Sequence, residues 1–167
     1  FLDEVIKWRE IGYAHAFVNG ASYNQEAAVP AWSRQYLDGC RNNNVASNSR
    51  MMSYQLDALA EGRTESDTWN AMQRYLVETG ELHNNARMTW GKSVVHWQKH
   101  GFDVPTLLQQ LCYLNDRFAL DGLSPPSYAG LLWCLGWCDK PQGGGRLSEK
   151  PASRYRVGPD GFQEAQR

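Results

Sequence analysis

Residues 64 to 97 read TESDTWNAMQRYLVETGELHNNARMTWGKSVVHW. Apolar residues recur there at helical spacing on both sides of Thr79-Gly80, which predicts two amphipathic helices, 67 to 78 and 83 to 99, packed on each other. The second opens with His83-Asn84-Asn85-Ala86-Arg87-Met88. Asn84, Arg87 and Met88 fall at i, i+3 and i+4 and so share one face. An amide, a guanidinium and a thioether on one face suit a flat, partly anionic ligand better than they suit a plain core.

The same periodicity extends outward in both directions. Residues 1 to 18 carry Leu2, Val5, Ile6, Ile11, Ala14 and Phe17 near helical spacing, with acids in the first turn. Gly20 is the expected stop. Pro30-Ala31-Trp32 opens a short helix expected to end at Gly39, and 41 to 50 read as loop. A further short helix is expected over Met51 to Ala60, closed by Gly62. Thr64-x-x-Asp67 approximates a capping box ahead of the helix from 67. Asp103 is placed to cap a helix over Val104 to Asn115, whose apolar face is Leu107, Leu108, Leu111, Cys112 and Leu114. No alternating pattern suggests a sheet. The fold class is all-α: a compact bundle of six or seven helices over residues 1 to 140, followed by an irregular, extended polar tail over 141 to 167.

Composition bounds the rest. A chain of 167 residues with 42% hydrophobic content makes one globular domain. With 17 basic and 18 acidic side chains, no net field advertises nucleic acid. Residues 1 to 82 hold 7 basic and 11 acidic groups, and 83 to 167 hold 10 and 7, a weak asymmetry. Cys40, Cys112, Cys134 and Cys138 form no CxxC pair, and the four histidines do not join them at ligand spacing, so no metal site is expected. Cys134 and Cys138 share a face if their segment is helical. Such cysteines point to small buried hydrophobes in a reducing compartment. No apolar run reaches membrane-spanning length. Seven Trp and eight Tyr are a heavy aromatic load, enough both to fill a core and to stack on a ligand.

Several of these motifs resemble the photolyase and cryptochrome family, FAD-dependent light enzymes and light sensors. They are Trp8-Arg9-Glu10, Trp69-Asn70-Ala71-x-Gln73, Thr79-Gly80, His83-Asn84-x-x-Arg87-Met88, and Leu114-Asn115-Asp116-x-x-x-x-Asp121-Gly122 followed by Tyr128-x-Gly130-x-x-Trp133. The last is most similar to the class II branch. The resemblance implies the C-terminal half of a helical FAD-binding domain. It implies that Arg87 sits over the flavin ring and pairs with Asp121, that Asn84 borders both flavin and damaged DNA, and that Met88, Trp133 and Trp8 wall a pocket for a flipped-out pyrimidine dimer. Light-excited reduced flavin would then donate an electron to the dimer. Met88 after Arg87 resembles the branch that repairs cyclobutane dimers, whereas the 6-4 photolyases and animal cryptochromes carry a His-His pair where His83-Asn84 stands.

The chain also departs from the family. Ser127 stands where many photolyases place an asparagine facing flavin N5, and Leu131 where the usual relay tryptophan falls. Trp90, Trp97 and Trp137 are relay candidates. The family's Ser/Thr-rich loop for the FAD phosphates and its α/β antenna domain have no counterpart among these residues, and no Gly-rich cradle precedes a helix. FAD binding is therefore expected to be weak.

Two functions compete on this reading. One is part of a light-driven photolyase acting on damaged DNA. The other is a flavin-free structural or interaction subunit of a larger assembly, a photosynthetic complex being one such setting. The second leans on residues 139 to 167, where Lys140, Arg146, Lys150, Arg154 and Arg156 are opposed between them only by Glu149. A polar segment with Gly143-Gly144-Gly145 is expected to bury too little to offset an ordering cost of roughly 1 to 2 kcal/mol per residue. It is expected to leave the helical body and be ordered by a protein partner.

Overall fold

The computed structural model describes residues 2–47, 53–158 and 161–164. Seven α-helices form the body: α1 (Arg9–Asn19), which continues a π-helical turn at Asp3–Trp8, α2 (Ala31–Ser47), α3 (Leu56–Ala60), α4 (Asp67–Thr79), α5 (Asn84–Gln98), α6 (Val104–Phe118) and α7 (Pro125–Cys134). The strands β1 (Tyr155–Gly158) and β2 (Gly161–Glu164) follow as an antiparallel hairpin. The all-α bundle predicted from periodicity is the fold. The hairpin, for which no alternating pattern was read, is confined to two strands.

α4 and α5 form the centre. The Trp69 indole donates to the Trp90 carbonyl at 3.0 Å, and the Trp90 indole donates to Gln73 Oε1 at 2.9 Å. All three residues are fully buried, so neither polar ring edge is left unpaired. Met72 and Leu76 of α4 and Leu107 and Leu111 of α6 complete this core. Each such side chain contributes roughly 1.5–3 kcal/mol by burial. Gly80, at φ +73°, ends α4 in the left-handed conformation and lets the chain turn into α5.

Four local expectations change. The cap of α4 is Ser66, which accepts from the Trp69 N–H at 3.3 Å; Thr64 instead donates to Asn70 Oδ1 at 2.7 Å. α2 runs through Gly39 and the polar run after it to Ser47, where a loop was expected. Gly39 takes ordinary helical dihedrals, and Asn44 donates to the His100 carbonyl at 2.9 Å, tying the extension to the end of α5. α3 begins only at Leu56, because both backbone groups of Tyr54 are taken by the Gln98 amide, at 2.7 and 2.8 Å. Residues 51 and 52 of the expected helix lie outside the described residues. Finally, α7 stops at Cys134 and Cys138 sits at φ +62°, so these two cysteines do not share a helix face. Burial pushes the thiols of Cys112 and Cys134 up to about 12, which keeps them protonated.

The stretch expected to leave the body lies on it. Leu147, Ala152 and Tyr155 are buried in the common core. The glycines make a turn: Gly144 and Gly145, both at φ +76°, bring Gln142 N to 2.8 Å from the Arg146 carbonyl. Charge supplies the second reason. Lys92, on α5, and Lys99, just past its end, have side chains only 5% and 8% exposed, and their carboxylate partners are Asp139 and Glu149. Removing residues 141 to 167 would take the carboxylate of Glu149 from the buried Lys99 and the Ser148 hydroxyl from the Lys92–Asp139 pair, which is unfavourable. Among the described residues, no helix is long and apolar enough to cross a membrane.

Candidate functional site

The polar face at the start of α5 meets the loop after α6 and the start of α7. Arg87 is the hub. Its Nη1 donates to Asp121 Oδ1 at 2.6 Å, and its Nη2 donates to Asn115 Oδ1 and, at 2.9 Å, to Ser127 Oγ. Ser127 Oγ also donates to Asn115 Oδ1 at 2.9 Å, and Asn115 Nδ2 donates to the Gly122 carbonyl at 2.7 Å. Three elements are thereby locked around one guanidinium. The pair expected between Arg87 and Asp121 is present, although its two ends differ. Arg87 is 19% exposed and Asp121 55% exposed, so the carboxylate faces solvent while the buried partners are neutral oxygens.

Asn115 went unassigned in the sequence, although it stood within the quoted Leu114-Asn115-Asp116 motif. The available signal was a polar residue on the apolar face of α6. Beside it, Tyr128 donates to Asp116 Oδ2 at 2.7 Å, and burial, reinforced by that bond, raises the phenol well above its ordinary value.

Two hollows adjoin this hub. The smaller, about 230 Å³, is bordered by Arg87, Asp121, Ser127, Leu131 and Cys134. The larger, about 590 Å³, is bordered by Trp8, Arg9, Lys92, Trp133, Trp137 and Asp139. Asn84, Met88, Pro126 and Gly130 border both, so these four form the wall between them. All the residues singled out in the sequence (Trp8, Asn84, Arg87, Met88, Asp121, Ser127 and Trp133) therefore converge on two neighbouring hollows.

Trp8 and Trp133 both border the larger cavity and touch each other, with ring centroids 4.6 Å apart and planes tilted by 60°. Trp133 Nε1 donates to Asp139 Oδ1 at 2.7 Å. The other oxygen, Oδ2, accepts from Lys92 Nζ at 2.9 Å and from Ser148 Oγ at 2.7 Å. Burial pushes the Asp139 carboxyl up, but the hydrogen bonds from Ser148, Lys92 and Trp133 and the Lys92 charge outweigh it, holding the group ionised below its ordinary range. Lys92, Asp139 and Ser148 were not among the sequence candidates. Only the return of the chain after α7 brings them together.

Of the relay candidates, Trp90 and Trp97 belong to one aromatic row with Trp69 between them. Trp90 stacks on Trp69 at 6.3 Å, Trp69 meets Trp97 at 5.4 Å, and Trp97 meets Tyr54 at 5.2 Å. Trp137 lies apart, edge-on to His15 at 4.8 Å.

The fold and these hollows define the class: an all-α domain in which a guanidinium-centred hollow shares a wall with an aromatic cavity. Over 143 residues the chain is 34% identical to a deoxyribodipyrimidine photo-lyase of Methanothermobacter thermautotrophicus, which covers 84% of this chain and 29% of that protein. It is 30% identical over 146 residues to the deoxyribodipyrimidine photo-lyase of Potorous tridactylus, covering 84% and 26%, and 30% identical over 147 residues to that of Arabidopsis thaliana, covering 84% and 28%. No family model matches the chain. The chain is a photolyase-family relative that corresponds to one part of those proteins, spanning less than a third of their length.

Proposed function

We propose that this chain forms the ring-facing part of a photolyase-type site, whose activity is light-driven, FAD-dependent repair of pyrimidine dimers in DNA. The observation that carries the reading is the shared wall: Asn84, Met88, Pro126 and Gly130 border both the Arg87 hollow and the Trp8–Trp133 cavity. A cofactor ring in the first and an extruded pyrimidine dimer in the second would be in contact range of the same wall, Asn84 and Met88 included.

The residues around the smaller hollow suit a flavin ring. Arg87 offers a fixed positive charge, Ser127 and Asn84 offer polar edges, and Met88 and Leu131 offer apolar faces. Donors for a diphosphate are a different matter, since the short glycine run at Gly143 to Gly145 forms a turn and precedes no helix. Those contacts must come from elsewhere. When bound, FAD supplies the one-electron chemistry that these side chains lack.

The chain's own residues orient and stabilise. Arg87, restrained by Asp121, Asn115 and Ser127, holds positive charge beside the ring, which favours a reduced, anionic cofactor. Met88, Trp8 and Trp133 present apolar and aromatic surface to an extruded dimer. The Trp90–Trp69–Trp97 row, with Trp97 half-buried at one end, is the candidate carrier of a protein-derived electron, although none of the three rings borders either hollow.

Flavin-free service as an interaction subunit, the competing reading, drew its support from a tail leaving the body. With Leu147, Ala152 and Tyr155 in the core and Glu149 on Lys99, that argument loses its footing for the described residues. The test is to add FAD to the purified chain and look for a protein-bound flavin spectrum. Illumination of a reduced, loaded sample with a thymine-dimer oligonucleotide should then restore undamaged thymines. Lack of bound flavin under saturating FAD would sink the reading.

A further inference from the structure

Trp133 could rotate within its cavity, since its indole is only partly enclosed and Trp8 touches it at a tilt. One contact removes that freedom, the bond from Trp133 Nε1 to Asp139 Oδ1 at 2.7 Å. Asp139 is itself restrained at its second oxygen by Lys92 and Ser148. Lys92 comes from α5 and is 6% exposed, whereas Ser148 comes from the segment that folds back after the glycine turn. Lys92 and Ser148 also contact each other directly. The ring is thus aimed by a carboxylate that α5 and the returning segment grip together.

We propose that Asp139 is a positioning residue: it sets the orientation of Trp133 against Trp8, and through it the shape of the larger cavity for an extruded pyrimidine dimer. The last clause rests on the photolyase-type reading; the orientation of the indole does not. A carboxylate suits this role because it accepts from the indole at one oxygen while the other stays anchored. The bond is charge-assisted, so its loss is felt at both ends. The role also explains why the returning segment is placed where it is. Its Ser148 completes the Asp139 environment, and its Glu149 accepts from Lys99, the residue that caps the end of α5, at 3.1 Å.

The experiment uses the full chain and two independent readouts. The first is the indole N–H resonance of Trp133 in a proton–nitrogen correlation spectrum, assigned by its loss in Trp133→Phe. The second is dark binding of an oligonucleotide carrying one thymine dimer, compared with the undamaged strand. Asp139→Ala leaves Lys92 buried without its carboxylate, which risks misfolding. A second variant, Asp139→Ala with Lys92→Met, removes that charge as well. Both should shift the Trp133 resonance upfield, away from its charge-bonded position. Preference for the dimer strand should fall about tenfold or more, the ordinary consequence of losing a charge-assisted bond. Asp139→Asn keeps an acceptor for the indole and should restore part of both signals. An unchanged Trp133 resonance in the double variant overturns the proposal. So does a shifted resonance with full dimer preference, because the orientation would then not matter to the ligand. If the unsubstituted chain shows no dimer preference at all, the photolyase-type reading fails, and the resonance alone decides whether Asp139 orients Trp133.

Discussion

Lys92 on α5 and Asp139, 47 residues later, bond at 2.9 Å with the lysine side chain 5% exposed. This pair joins the central helix to the chain leaving α7, and it places a carboxylate behind the Trp133 ring. Glu149 repeats the arrangement on Lys99 at 3.1 Å and adds His96 at 2.9 Å. The returning segment is therefore held by charge as well as by apolar burial, and its stability should depend on pH.

Asp139 and Glu149 are both held below their ordinary values of 3.8 and 4.5. For each, burial pushes upward and is outweighed, at Asp139 by hydrogen bonds from Ser148, Lys92 and Trp133, at Glu149 by Lys99 and His96. A depressed carboxylate contributes stability that is fully present above its unfolded value and is lost as pH falls through its folded one. Melting temperature should accordingly drop as pH falls below about 4, and Asp139→Asn with Glu149→Gln should flatten that drop while lowering stability at neutral pH. Thermal melts from pH 7 to pH 3 would check this; parallel curves for variant and parent would contradict it.

The two partners of Arg87 should behave differently when replaced. Asp121 is 55% exposed, so Asp121→Asn should cost less than about 1 kcal/mol. Asn115 is fully buried and accepts from both Arg87 and Ser127. Asn115→Leu strands both donors and should cost about 2–3 kcal/mol. Chemical denaturation of the two variants would show the order, and a larger loss for Asp121→Asn would refute it.

Gly12 lets α1 meet α7. A Cβ there would stand 2.8 Å from Pro126 Cα and 3.3 Å from the Pro125 carbonyl, both backbone atoms that cannot swing away. Gly12→Ala should cost about 1–3 kcal/mol by forcing the helices apart. Because α1 follows Trp8 and α7 carries Trp133, the Trp8–Trp133 contact should loosen with it, readable as altered near-ultraviolet dichroism. A neutral Gly12→Ala would mean that the helices can shift freely.

Flavin photoreduction tests the aromatic row. In FAD-loaded protein, Trp69→Phe and Trp97→Phe should each slow it by about tenfold or more, while Trp137→Phe should leave it near the parent rate. Trp69→Phe also removes the bond to the Trp90 carbonyl, so its fold must be checked by circular dichroism. Equal rates in all three variants would dismiss the row as a path.

What could be read in the sequence was local and periodic. The spacing of apolar residues determined the helices, since a 3.6-residue repeat on either side of Thr79-Gly80 has one low-energy way to bury its face. The same periodicity put Asn84, Arg87 and Met88 on one side of α5, and the quoted motifs supplied Asp121, Ser127, Trp8 and Trp133 by resemblance. Caps and ends were less legible. Thr64 and Ser66 are both chemically able to cap α4, and the choice was made by Asn70, which draws Thr64 away.

Tertiary structure alone decided the path of residues 139 to 155. Composition describes them as polar and glycine-rich, and by composition they should not fold. Their stability comes from partners 47 and 50 residues distant, two lysines that the core has already taken out of water. A buried charge makes its demand only once the helices around it have packed, and no local pattern records it. Asn115 and Asp139 escaped notice for the same reason: each becomes informative only beside the group it satisfies.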